Sequence, residues 1–107
     1  MKRTYAPRHA RALMPLLRSI SLEIEERNRQ LEEVEARIER IEADVPVDRE
    51  LLRQLTAEAS THRHELRAAE KELGRLGCSV VGTAPLTIRI PTRSQEGDKS
   101  LIWQPSS

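Results

Sequence analysis

The chain has 107 residues, with 18 Lys and Arg against 17 Asp and Glu, so its formal net charge is only +1. That balance argues against a dedicated nucleic-acid binder, and the length allows one domain whose limited core makes dimerisation a reasonable expectation. Charged residues make up 33% and the aromatics are Tyr5 and Trp103 alone, a composition suited to a solvated helix pair and not to a globule packed around large rings.

In chain order, Ala6-Pro7 opens a short helix over 7–14, because a first helical turn has no use for the N–H that proline lacks. Pro15 is expected to kink or restart it. A helix over 15–44 follows, free of Gly and Pro after Pro15 and rich in Glu, Arg, Leu, Ile and Ala. Val45-Pro46-Val47 breaks the run, and Asp48 is a good N-cap for a second helix over 48–76. Gly77 supplies the left-handed residue that closes it. Residues 78–103 then change period. Ser79-Val80-Val81, Leu86 to Ile90 and Ser100 to Trp103 read as three short strands of a β meander, punctuated by Gly82, Pro85, Pro91 and Gly97. Residues 104–107 are expected to fray.

The two long helices carry matching seams. Leu17, Ile24, Leu31, Ile38 and Val45 recur every seven residues, interleaved with Leu13, Ile20, Arg27, Val34 and Ile41. Leu52, Ala59, Leu66 and Leu73 interleave likewise with Leu55, His62, Ala69 and Leu76. This 3-4 alternation is a coiled-coil pattern. If the chain reverses near Pro46, facing residues have numbers adding to about 93, and the seams then mesh from Ile41 with Leu52 to Leu17 with Leu76. The expected fold is mainly α, a long antiparallel helical hairpin preceded by a short helix and followed by a small β meander. At about 1.5 Å per residue the arm would be roughly 40 Å long. Leu16, Leu22 and Leu51 fall outside the seam. Leu16 and Leu22 are expected in a compact core at the open end; Leu51, near the tip, has no partner within the chain and points to a second subunit.

Few residues suggest chemistry. Arg27 and His62 occupy polar seam positions in neighbouring layers. They read either as a register-setting pair, with Arg27 reaching Glu23 or Glu65, or as a buried pair that titrates near neutral pH. His62 and His64, two apart on a helix, cannot easily share a metal, and Glu58 with His62 is one ligand short of a zinc site. Cys78 follows the end of a helix, where no thiolate is stabilised, and reads as a packed residue. As the single cysteine it also excludes an intrachain disulfide and suits a reducing compartment. No apolar run reaches the roughly 18 residues of a membrane span, and no signal-type stretch follows the basic start, so a cytoplasmic location is expected. No phosphate loop, nucleophile elbow or ligand cluster is found, so neither an enzyme nor a cofactor is expected.

Both ends of the chain resemble a bacterial domain-of-unknown-function family, the one numbered 2203. The matching residues are Tyr5, Ala10, Leu13, Pro15, Leu16 and Leu17 at the front, and Leu86, Ile88, Pro91, Gly97, Leu101 and Trp103 at the back. Ala6 departs from the capping Thr of that family, Arg89-Ile90 from its Asp-Phe, and Ile102 from its Cys. Its acidic, His-containing ending has no counterpart after Trp103, so any activity carried there is expected to be lost. The resemblance implies no known function.

The leading expectation is an interaction or scaffolding module, partnered by a second copy as a homodimer or by another protein. Its candidate surface is Arg8, Arg11, Arg18, Leu22, Leu51 and Trp103. The alternative is an RNA- or nucleotide-associated arm that uses the basic N-terminal segment.

Overall fold

A computed structural model describes residues 5–94 and 97–105. Two helices, α1 (Pro7–Glu42) and α2 (Arg49–Arg75), pack as an antiparallel hairpin; the strands β1 (Ser79–Thr83), β2 (Leu86–Ser94) and β3 (Gly97–Trp103) follow. The molecule measures 64 × 24 × 21 Å. The helical hairpin and the β meander expected from the periodicity are both present.

The expected break at Pro15 is not. Residues 7–42 run as one helix with Pro15 inside it, so the short helix over 7–14 is the first part of α1. Proline removes one N–H, the one that would reach the carbonyl of Arg11, and Arg11 is exposed to solvent. On either side of it Leu13, Met14 and Leu17 join one core, and that packing holds both segments on a common axis. At its start, Ala6 is extended and makes no side-chain capping bond, with Pro7 in the first turn.

Asp48 caps α2 as expected, its Oδ1 accepting from the Leu51 N–H at 3.0 Å. The other end closes on Gly77 at φ 76°, a left-handed conformation in which a side chain would be strained. There the Cys78 N–H reaches back to the Leu73 carbonyl at 2.9 Å. That turn aims the chain into β1.

The sheet is antiparallel in the order β1-β2-β3. Its register with β1 slips at a bulge between Val80 and Gly82, whereas β2 and β3 pair without interruption from Ser94 opposite Gly97 to Ile88 opposite Trp103. Leu86, Ile88 and Ile90 alternate along β2 and are all buried. The hairpin sits over part of this sheet, α1 against β2 and α2 against β1. Tyr5 ties the base together. Its N–H donates to the Pro91 carbonyl at 3.1 Å and its hydroxyl to the Leu76 carbonyl at 2.7 Å.

Apolar packing divides into two clusters. At the base, Leu17, Ile20 and Ile24 of α1 meet Ala69 and Leu73 of α2, Cys78, and the inner residues of β2. Towards the tip, Val34, Leu55 and Ala59 are buried, with Leu31, Ile38, Ile41 and Leu51 packed around them. Leu51 therefore has a partner within its own chain, contrary to expectation: the first turn of α2 brings it onto the tip cluster. Leu16 and Leu22 also depart from expectation. Both lie on α1 faces turned away from the core and are exposed, at 49% and 59%.

Candidate functional site

Between the two apolar clusters lies the polar layer of the hairpin. Arg27 Nη1 is 3.1 Å from His62 Nδ1, and Arg27 Nε donates to Glu23 Oε1 at 3.0 Å. His62 is buried; its Nε2 lies 3.7 Å from Glu58 Oε1. A guanidinium has donors only, so Nδ1 must offer its lone pair and the ring proton of neutral His62 sits on Nε2, towards Glu58. Arg27 thus meets His62 across the seam while its head also reaches Glu23 at the rim. Among the described residues no three His, Cys, Asp or Glu converge as a metal ion would need.

The sheet side of α1 holds one more buried polar group. Ser21 is fully buried and its hydroxyl has no partner among the described residues. One to three turns further on, Glu25, Asn28, Arg29 and Glu32 line an open groove of about 210 Å³, facing Thr83, Pro85 and Leu86. Arg29 bonds Glu26 and Glu33 on its own helix. Its hydrogen bonds hold the Glu26 carboxyl below the ordinary 4.5, and those carboxylates push the Arg29 guanidinium above its usual range.

At the base, the candidate surface assembles in part. The Arg18 guanidinium stands 5.6 Å from the centre of the Trp103 ring, a cation–π contact. At about 100° per residue, Arg11, Arg18 and Leu22 fall on one stripe of α1, the stripe on the side of Trp103. Arg11 and Arg18 are exposed and Trp103 is half-buried, packed on the base core beside Leu86 and Ile88. The Arg8 side chain lies outside the described residues. Leu51, at the other end of the hairpin, does not belong to this surface.

Two residues missing from the sequence-based surface stand out on it. Leu101 and Ile102 of β3 are exposed, at 46% and 55%. The sequence marks them only as part of a short strand, and nothing in the periodicity marks a strand as lying at the edge of its sheet. Cys78 is buried in the base core, where burial pushes its thiol above the ordinary 9.0, which makes it a packing residue and not a nucleophile. No described helix is long and apolar enough to cross a membrane.

The family model described as an uncharacterized conserved protein (DUF2203) matches residues 3–106, nearly the whole chain, and the protein belongs to that family. No curated protein and no solved structure matches it.

Proposed function

For a member of an uncharacterised conserved family, we propose that the chain is a protein-interaction or scaffolding module and not an enzyme. The observation that supports this reading is the set of apolar side chains that the intrachain core leaves out at the base. Leu22 on α1 and Leu101 and Ile102 on β3 are exposed, while most apolar seam residues are taken up by the hairpin's own packing, the expected seam residue Val45 being exposed at the turn. A cluster of exposed apolar groups beside charged ones suits a surface that another protein covers. The expected setting is a cytoplasmic one.

The competing reading, an RNA- or nucleotide-associated arm, draws on Arg11 and Arg18 along one flank. Arg18 already covers a face of Trp103, the ring on which a base would stack. Salt-dependent tRNA binding lost on replacing Arg8, Arg11 and Arg18 together would favour that arm over the protein-interaction module.

In-cell photo-crosslinking tests the main reading. A photoreactive side chain placed at Leu22 or at Ile102 is expected to give discrete adducts with protein, whether with another chain or with a second copy. The same group at Thr61, exposed halfway along α2, should give none. Absence of adducts at both base positions would sink the proposal.

A further inference from the structure

The two edges of the sheet differ. β1 has five residues, is broken by the bulge at Val80 and Gly82, and lies against α2. Those features are the usual protections of an edge strand against pairing. β3 has seven residues, no proline and no bulge, and among the described elements its backbone runs beside β2 alone, with the Trp103 side chain at its end meeting Arg18 of α1 and the base core. Among the described residues no further strand pairs with its outer side.

Two exposed apolar residues, Leu101 and Ile102, lie on this edge. Leu101 lies opposite Ile90 and so shares its face of the sheet, yet Ile90 is fully buried and Leu101 is half exposed. The cause is the roof: the hairpin packs on β1 and β2 and reaches β3 only at Trp103. Ile102, opposite Arg89, is exposed on the other face. Above the edge, Leu22 stands on the flank of α1 that carries Arg18 to Trp103.

We propose that this edge is completed by a second copy of the chain, β3 pairing antiparallel with β3 about a two-fold axis at Leu101. The inference rests on the interaction reading above and names its partner. Strand partners directly opposite share a face, so a two-fold axis through the strand must pass through a residue. At Leu101 it sets Leu101 against its counterpart, Ser100 against Ile102 and Lys99 against Trp103, five paired residues with no like charges opposed. At Ser100 it would set Asp98 and Lys99 against Ile102 and Leu101. At Ile102 it would pair only three residues before the strand ends at Trp103. The register about Leu101 joins the two sheets into one of six strands and brings the Leu22 flanks of the two α1 helices towards each other.

Light scattering on the full chain decides it. The expected mass is twice 12.2 kDa, falling to 12.2 kDa in Leu101→Lys, which puts two like charges on the axis. Val81→Lys, equally exposed but on β1, should leave the dimer intact and controls for loss of folding, alongside the helical circular dichroism of both variants. Mild oxidation of Leu101→Cys should link the two copies across the axis, while Ser100→Cys should not link. A monomer at high concentration overturns the inference, as does a dimer indifferent to Leu101→Lys, which would place the contact on another face. A monomer whose Ile102 position still crosslinks to a different protein would overturn the second-copy assignment and leave the interaction module standing.

Discussion

Arg27 and His62 share a hydrogen bond in a hairpin seam that is otherwise apolar, and each answers for the other's burial. His62 Nδ1 is met by the Arg27 guanidinium at 3.1 Å. Removing Arg27 alone leaves a buried acceptor without a donor, which costs about 1–3 kcal/mol. Replacing both residues by leucine removes the need instead of the answer, and such exchanges are often neutral or stabilising. Arg27→Ala is therefore expected to lower the urea midpoint of unfolding, whereas the double Arg27→Leu, His62→Leu variant should match or exceed the original chain. A double variant less stable than Arg27→Ala would show that the layer contributes net stability and not mainly register.

At the scale of the element, α1 carries its own defect. Pro15 leaves the Arg11 carbonyl without a helical donor, and proline in a helix interior costs about 3 kcal/mol relative to alanine in ordinary contexts. Solvent at the exposed Arg11 side reduces that penalty. Pro15→Ala is expected to raise the stability of the chain by roughly 1–2 kcal/mol, visible as a higher melting temperature without a change in helical signal before the transition. A lower melting temperature would mean that α1 is bent at Pro15 to fit the base and that the bend matters more than the bond.

The whole molecule is unevenly supported along its 64 Å length. The base joins both helices, β2 and Tyr5 through nine buried residues, while the tip relies on three. Between them the polar layer contributes little apolar burial. Opening free energies follow local packing, so amide exchange is expected to be slowest around Leu17, Leu73 and Ile88 and fastest towards the turn at 43–48. Uniform protection along the hairpin would show that it opens only as one unit. A second copy on the β3 edge would add to the slow end, since the outer amides of that strand would then be paired.

Much of this architecture is determined by the sequence alone, because it is local or periodic. The heptad spacing from Leu13 to Ile41 and from Leu52 to Leu76 selects the buried stripe of each helix, and the single break at Val45-Pro46-Val47 makes the two stripes face each other. Asp48 and Gly77 set the ends of α2 through their own side-chain and backbone chemistry. The alternation in β2 picks out Leu86, Ile88 and Ile90. Only the tertiary structure decided the rest. Pro15 stays inside a helix because packing on both sides outweighs a propensity that, read locally, ends one. Leu51 is drawn onto the tip cluster, and Leu16 and Leu22 are left outside the base, because burial depends on which elements arrive and not on residue type. The same holds for the candidate surface: how far the hairpin reaches over the sheet leaves Leu101 exposed opposite a buried Ile90, and no pattern within one strand encodes the extent of a roof built by another element.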